Sequence, residues 1–172
     1  MLKKIVIIGP ESTGKSTLCR QLAEHYSTVW VPEYARNYLL EHGTDYSFEN
    51  LLDIAKGQIE LEESMTKQAS GYLFIDTDMQ VMKVWCEFVF GKVHPWIIGQ
   101  LQQRKYDLYL LCNIDLPWVQ DELREYPDLQ TREVLFNKYR HQLEEQDTPW
   151  TIVNGDYHER LRNAIEAVDS LK

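Results

Sequence analysis

The segment GPESTGKST, Gly9 to Thr17, directly follows the apolar run KKIVIIG near the start of the chain. It matches the pattern G-x-x-x-x-G-K-[ST], in which a glycine-rich loop joins a buried strand to the first turn of a helix. The run before it is short and rich in β-branched residues, and Leu18, Leu22 and Tyr26 after it have helical spacing. Glycines let such a loop point its N–H groups at phosphate oxygens. The chain is therefore predicted to bind the phosphates of a nucleoside triphosphate.

The polar positions of this phosphate loop have separate expected roles. Lys15 would bring a mobile positive charge to the β- and γ-phosphates, and Ser16 would place its hydroxyl on Mg²⁺. Thr17 would either contact the α-phosphate or fill the first turn of the helix. The remaining expected nucleotide contacts in the loop are Gly9, Ser12, Thr13 and Gly14. The loop predicts a nucleoside triphosphate with Mg²⁺, but it does not separate a kinase from a GTPase or another ATPase.

Strand and helix patterns alternate along the rest of the chain. Four further strands are predicted at TVWVPE, YLFIDTD, LYLLCNI and TPWTIVNG. Helices are predicted at ARNYLLEHG, from Ser47 to about Ser70, at MQVMKVWCEFVFG and at HERLRNAIEAVDSL. This alternation predicts an α/β fold, a three-layer arrangement with a five-stranded parallel sheet between helices. A chain of 172 residues suffices for one domain with a core, so we expect a single domain over residues 1–172.

The composition limits the expected partners and location. The formal net charge is −9, and an acidic surface repels both the nucleic-acid backbone and anionic membranes. No apolar run reaches the length of a membrane span. The three cysteines form no CxxC pair, which is typical of reduced, buried thiols in a cytoplasmic protein. We therefore expect a small-molecule partner, no nucleic acid and no membrane, while the sequence predicts no oligomeric state.

Polar residues follow the second and third predicted strands, where ligands of parallel sheets bind. A hydroxyl that accepts a phosphoryl group needs a base, because its own pKa is too high for it to ionise. Glu33 could take that proton, or it could pair with Arg36 one turn further along a helix. Arg36 could instead face the transferred phosphoryl group. Asp76 ends the run LFID and is the predicted carboxylate on the metal side, whereas Asp78 could contact a ligand or cap the next helix.

Two observations narrow the class of enzyme. A nucleotide-switch GTPase would need DxxG and NKxD motifs, and NID at Asn113 to Asp115 is not NKxD. The strand ends are mostly acidic apart from Arg36, which favours a neutral or cationic acceptor over one that already carries a phosphate. Trp85 could face the ring of such an acceptor, because aromatic walls beside acidic groups suit a flat cation.

The segment between the fourth and fifth strands, about 116–143, is predicted to be an inserted helical lid. Closure of such a lid expels water and brings arginines to the γ-phosphate, where they stabilise developing charge. Arg124 and Arg132 are the preferred candidates, because Arg140 has Glu144 four residues further on. The alternative is a charged surface helix without a role in binding.

Taken together and in this order, six segments resemble the kinase domain of NadR-type proteins. They are GPESTGKSTL, PEYAR, FIDTD, VFGKVHPW, YDLYLLCNIDLPWVQDELR and VNGDYHERL. Members of this family are bacterial nicotinamide riboside kinases, often fused to an NMN adenylyltransferase and a repressor domain. The resemblance covers essentially the whole chain and implies a P-loop fold like that of nucleoside and nucleoside monophosphate kinases. It implies transfer of the γ-phosphoryl group of ATP to the 5′-hydroxyl of nicotinamide riboside, which gives NMN.

The resemblance also implies roles for individual residues. On the donor side, the triphosphate and Mg²⁺ would be held by Gly14, Lys15 and Ser16. On the acceptor side, the implied residues are Glu33, Tyr34 and Arg36. Asp76 and Asp78 would be the acids on the metal side and the ribose side, and Arg124 lies in the lid. The loop NGDYHERL, with Asp156, would pack on adenine.

Two alternatives remain open from the sequence. The chain contains no HxGH-type motif and no helix-turn-helix, so we do not expect the adenylyl-transfer or repressor functions of the fused proteins. The acceptor could be another nucleoside or a small-molecule alcohol. The protein could also be a regulatory ATPase, with slow hydrolysis that does not depend on an acceptor.

Overall fold

The computed structural model describes residues 1–171, and its centre is a parallel sheet that confirms the predicted α/β fold. The strands are β1 (Lys3–Ile8), β2 (Trp30–Val31), β3 (Tyr72–Asp76), β4 (Leu108–Cys112) and β5 (Trp150–Val153). Their spatial order is β2-β3-β1-β4-β5, and every neighbouring pair is parallel. β1 therefore lies in the middle, and the phosphate loop leaves the sheet between β3 and β4.

Helices cover both faces of the sheet. They are α1 (Lys15–His25), α2 (Tyr34–His42), α3 (Phe48–Thr66), α4 (Met79–Phe90), α5 (Pro95–Gln103), α6 (Leu129–Glu144) and α7 (Tyr157–Asp169). Ser47 begins α3 with a capping box, in which its hydroxyl accepts from the Asn50 N–H and the Asn50 side chain accepts in return. Among residues 1–171, no helix has both the length and the apolar character needed to cross a membrane.

The apolar run of β1 explains the three layers. Ile5 and Ile7 point towards α1 and α7, while Val6 and Ile8 point towards the helices of the opposite face, and all four are fully buried. Each such side chain contributes roughly 1.5–3 kcal/mol relative to an exposed position. A strand that is apolar on both faces is stable only when both faces are covered, as they are here.

The chain between β4 and β5 was predicted to be a helical lid over about 116–143, but the structure is helical only from Leu129 onward. Only its second half forms a helix, and α6 belongs to the helix layer because Leu135, Tyr139 and Leu143 are buried against the sheet. These residues repeat every four positions, which places them on one face of the helix. The part that lies over the phosphate loop is an irregular stretch, residues 116–128, which we call the lid segment. The helix α5 was not predicted separately.

Gly57 in α3 allows a close approach of α2. A Cβ at this position would lie 2.1 Å from Cε1 of Tyr34. We therefore expect Gly57→Ala to lower the free energy of unfolding by about 1–3 kcal/mol, since overpacking outweighs the helix propensity of alanine. Gly99→Ala in α5 is the matched control, because nothing lies within 4 Å of its added Cβ. It should stabilise the protein by up to about 1 kcal/mol. Urea unfolding of both variants is the measurement, and equal midpoints would contradict the packing argument.

Candidate nucleotide and acceptor site

A cavity of about 580 Å³ opens at the carboxyl ends of the strands. The phosphate loop forms its floor, and its walls come from the start of α2, from α4 and from the lid segment. The predicted site residues that line it are Gly9, Ser12, Thr13, Gly14, Lys15, Ser16, Thr17, Glu33, Arg36, Trp85 and Arg124. Residues predicted to bind the phosphate donor and residues predicted to bind the acceptor thus line the same cavity.

The backbone of the phosphate loop needs glycine at two positions. Gly9 has φ of 148°, and a Cβ there would lie 2.8 Å from the carbonyl oxygen of Cys112. Gly14, which precedes α1, has φ of 77°. The loop is closed by the Pro10 carbonyl, which accepts from the Thr13 hydroxyl at 2.7 Å and from the Lys15 ammonium at 2.9 Å. The ammonium of Lys15 is thereby held over the loop.

Ser16 and Asp76 meet beside this loop. The Ser16 hydroxyl donates to Oδ2 of Asp76 at 2.5 Å, and Asp76 is fully buried at the end of β3. Burial, and next the negative charge of Glu33, raise the pKa of Asp76 above its usual value, while the charge of Lys15 opposes the rise. A bound cation would oppose the rise in the same way as Lys15.

A hydroxyl and a carboxylate are the oxygen donors that Mg²⁺ prefers, so Ser16 and Asp76 fit this ion. Within residues 1–171, no three or more His, Cys, Asp and Glu side chains cluster in a way that could hold a metal ion. Mg²⁺ would therefore need further oxygen ligands from phosphate or water, as it commonly does.

Thr77 is a strained residue that the sequence pattern did not reveal. It lines the cavity with φ of 79°, a left-handed conformation that is unusual for a β-branched residue. Its N–H donates to the Ile7 carbonyl at 3.2 Å, which ties the strained turn to β1. Such strain concentrates at functional sites, where the surrounding structure enforces it.

On the acceptor side, Glu33 and Arg36 form no direct ion pair with each other within residues 1–171. Glu33 precedes α2 and lines the cavity. Arg36 pairs with Asp121 of the lid segment at 2.7 Å, and this hydrogen bond raises the pKa of Arg36. The ion pair between Glu33 and Arg36 that the sequence allowed is thus replaced by a contact between α2 and the lid segment.

Tyr34 and Trp85 have different surroundings. The ring of Tyr34 packs over Gly57, its N–H donates to Oε1 of Gln58 at 2.8 Å, and it does not line the cavity. Trp85 lines the cavity and donates from Nε1 to the hydroxyl of Tyr46 at 2.9 Å. The Tyr34 ring therefore lies outside the cavity in this arrangement, and its predicted contact with the acceptor stays a prediction.

Of the two roles that the sequence allowed for Asp78, ligand contact or helix cap, the structure shows the cap. It is buried, caps α4 by accepting from the Gln80 N–H at 3.0 Å, and accepts from the Tyr109 hydroxyl at 2.7 Å. Burial raises the pKa of Asp78 to about 7. It does not line the cavity, so the structure does not place it beside an acceptor ribose.

Arginines 124 and 132 reach the phosphate loop through Ser12. Arg124 donates to the Ser12 hydroxyl at 3.4 Å, and Arg132 donates to the Ser12 carbonyl at 3.3 Å. Their guanidinium groups lie 6.0 and 5.4 Å from the ring centre of Trp118, within the range of cation–π attraction. Arg124 lines the cavity whereas Arg132 is buried behind it, and Arg140 pairs with Glu144 at 2.9 Å.

At the end of β5, Tyr157 rather than Asp156 faces the cavity. Asp156 is exposed and caps α7 by accepting from the N–H groups of His158 and Glu159, both at 2.9 Å. The side chain of Tyr157 is 46% exposed, and its ring would lie 3.3 Å from a Cβ at Gly14. An aromatic residue directly after a predicted helix cap was the available signal in the sequence.

Arg160 connects the segments that form the cavity floor, and no local sequence pattern distinguishes it from the other charged residues of α7. It is 1% exposed. Its guanidinium donates to the carbonyls of Thr13 at 2.7 Å, Asn113 at 3.0 Å and Gly155 at 2.7 Å, and to the carboxylate of Asp115. It thereby connects the phosphate loop to the ends of β4 and β5.

A buried central strand, a glycine-rich loop with lysine and serine, and a buried aspartate on the adjacent strand define a P-loop nucleotide-binding protein. The chain belongs to the AAA domain family, whose sequence model matches residues 4–160.

Two comparisons relate the chain to NadR proteins. It is 31% identical over 172 residues to the trifunctional NAD biosynthesis/regulator protein NadR of Escherichia coli K12, covering 97% of this chain and 42% of that protein. The chain thus spans less than half the length of this relative. A crystal structure of a NadR protein in complex with NR superposes with a TM-score of 0.82 at 24% identity, covering 98% of this chain and 50% of that one.

A thymidylate kinase from Ehrlichia chaffeensis shares the fold. It matches with a TM-score of 0.67 at 13% identity and covers 99% of both chains. The fold therefore resembles that of nucleoside monophosphate kinases, as the sequence predicts.

Proposed function

We propose that this protein is an ATP-dependent kinase that phosphorylates the 5′-hydroxyl of nicotinamide riboside to give NMN. One observation carries the proposal: Glu33 and the phosphate loop line the same cavity, so a base and a γ-phosphoryl group can share it. The similarity to NadR proteins supports the choice of acceptor. In this proposal a single domain carries out the reaction, and the protein works in the cytoplasm.

On the donor side, the loop N–H groups and Lys15 would bind the triphosphate. Ser16 and Asp76 would hold Mg²⁺, which neutralises charge on the phosphates when it is bound. Arg124, already at the phosphate loop, would stabilise charge that develops on the transferred group.

On the acceptor side, Glu33 would accept the proton of the 5′-hydroxyl while the oxygen of this hydroxyl forms a bond to the γ-phosphorus. The bond between this phosphorus and the bridging oxygen breaks, and ADP leaves. Trp85 would stack on the pyridinium ring, whose positive charge an aromatic face attracts. Arg36 would turn from Asp121 to the transferred phosphoryl group.

The test is ATP consumption with nicotinamide riboside, uridine, thymidine, NMN or no acceptor. Phosphorylation of nicotinamide riboside well above the others supports the proposal. Preference for uridine or thymidine would indicate another nucleoside kinase. Slow hydrolysis that is equal in all five assays would indicate a regulatory ATPase.

Tyr157 is expected to contribute to binding of the nucleotide base. Stacking of a base on an aromatic ring is worth about 1–3 kcal/mol, so Tyr157→Ala should raise KM for ATP roughly tenfold. KM for the acceptor should not change, because Tyr157 lies beside Gly14 on the donor side. His158→Ala is the control, since this exposed neighbour does not line the cavity. Equal KM values for ATP in the two variants would refute the stacking contact.

A further inference from the structure

A hydrogen-bonded chain runs from Trp85, on the α4 wall of the cavity, to the lid segment. Nε1 of Trp85 donates to the hydroxyl of Tyr46 at 2.9 Å, and this hydroxyl donates to Oε2 of Glu125 at 3.0 Å. The Tyr46 and Trp85 rings also meet edge to face, with centroids 5.0 Å apart. Burial raises the pKa of Tyr46, so the hydroxyl keeps the proton that it donates.

Glu125 is attached to the phosphate loop through its backbone. Its N–H donates to Oε2 of Glu11 at 3.0 Å, and the N–H of Tyr126 donates to the same oxygen at 3.2 Å. Glu11 lies between Gly9 and Gly14 in the phosphate loop. Glu125 thus contacts the phosphate loop with its backbone and is connected to Trp85 by its side chain, through Tyr46.

The chain next to Tyr46 packs on the motif GKVHP, residues 91–95, for which the proposed chemistry supplies no role. Phe48, two residues further on, stacks on His94 with centroids 3.7 Å apart, and Nε2 of His94 lies 2.8 Å from the Phe48 carbonyl oxygen. The ammonium of Lys92 lies 4.4 Å from the centre of the Phe48 ring. These contacts hold the start of α3, two residues after Tyr46, against the loop between α4 and α5.

We infer that Tyr46 and Glu125 are positioning residues that couple the Trp85 wall to the phosphate loop, so that nucleotide and acceptor strengthen each other's binding. A ring that packs on Trp85 fixes the indole and, through Tyr46, holds the lid segment over the phosphate loop. A nucleotide that orders the lid segment holds Trp85 in return, because coupling between two binding sites is reciprocal. The inference rests on the proposed function in placing the acceptor at Trp85.

The first test measures how well the lid segment is ordered when no acceptor is present. Hydrogen exchange of the Glu125 and Tyr126 amides is compared in the full-length wild type, Tyr46→Phe and Tyr38→Phe. Tyr38 is the matched control, because its hydroxyl accepts from Asn50 at 3.1 Å and has no bond to the lid segment. Exchange should be several-fold faster in Tyr46→Phe alone. Equal exchange in all three proteins would overturn the link.

The second test measures coupling directly. AMP-PNP is titrated calorimetrically with and without nicotinamide riboside, and the affinity ratio in the wild type should fall within about 5–150. In Tyr46→Phe the ratio should approach one, whatever change the variant makes in the affinity for AMP-PNP alone. Glu125→Gln retains an acceptor for the Tyr46 hydroxyl and should preserve the coupling, whereas Glu125→Ala should lose it.

The outcomes separate this inference from the proposed function. Unchanged coupling in Tyr46→Phe overturns the inference even if the enzyme phosphorylates nicotinamide riboside. If nicotinamide riboside does not bind the wild type, the proposed acceptor is wrong, and the exchange experiment decides on the link. A Tyr46→Phe protein that loses AMP-PNP affinity but keeps the affinity ratio of the wild type would show a structural role only and would also overturn the inference.

Discussion

Replacing Glu33 by glutamine is expected to lower kcat for phosphorylation of the acceptor by a factor of about 10²–10⁴, the usual contribution of a positioned base. Glutamine keeps the shape of the side chain at the start of α2 but cannot take a proton. KM for ATP should change little, because the phosphate loop binds the triphosphate without Glu33. Steady-state kinetics with ATP and nicotinamide riboside measures both quantities.

The matched control is Glu41→Gln. Glu41 is exposed near the end of the same helix and does not line the cavity, so its variant should behave as the wild type. A Glu33→Gln enzyme that retains kcat within about threefold of the control would exclude Glu33 as the base. The other carboxylates that line the cavity, Glu11, Asp121 and Glu125, would then be the candidates to test.

The parts of the fold and site that could be predicted are those encoded in short segments. The phosphate loop follows from nine consecutive residues, because strand, glycines and helix start are adjacent in the chain. Glu33 and Asp76 could be found because each stands where an apolar strand ends, and parallel strands bring those ends to one edge. Local pattern and sheet geometry together were sufficient to predict where these two residues lie in the fold.

Other residues depend on partners far away in the chain, which no local pattern reveals. From the sequence, Asp78 could either contact a ligand or cap a helix. In the structure it caps α4 and also accepts a hydrogen bond from Tyr109, which is 31 residues away in the chain. The lid segment could not be separated from α6, because only burial against β4 shows that α6 belongs to the layer. Asp156 and Tyr157 are adjacent, and the turn into α7 decides which of them faces the cavity.

Arg160 is the clearest case of such a distant partner. Its contact with Thr13 joins residues 147 positions apart, and in the sequence it stands among the charged positions of an amphipathic helix. Nothing in the local pattern separates it from the exposed Arg162 two residues later. Because Arg160 is buried and Arg162 is exposed, the same substitution should strongly lower the stability at position 160 and hardly change it at position 162.

Arg160→Met should lower the free energy of unfolding by about 3–5 kcal/mol, because three carbonyls lose their charged donor and each buried acceptor left unsatisfied costs roughly 1–3 kcal/mol. Methionine fills similar space, but the carbonyls of Thr13, Asn113 and Gly155 lose their donor. Arg162→Met should stay within about 0.5 kcal/mol of the wild type, since surface substitutions usually do. Urea unfolding of the two variants measures the difference.

The same substitution should also weaken nucleotide binding, because Thr13 lies in the phosphate loop and its carbonyl is held by Arg160. Calorimetric titration with ADP, at a temperature where circular dichroism shows the variant to be folded, separates this effect from unfolding. A folded Arg160→Met protein with the ADP affinity of Arg162→Met would show that the phosphate loop keeps its shape without the guanidinium. If the two variants also unfold at the same urea concentration, the buried network does not stabilise the junction of β4, β5 and the loop.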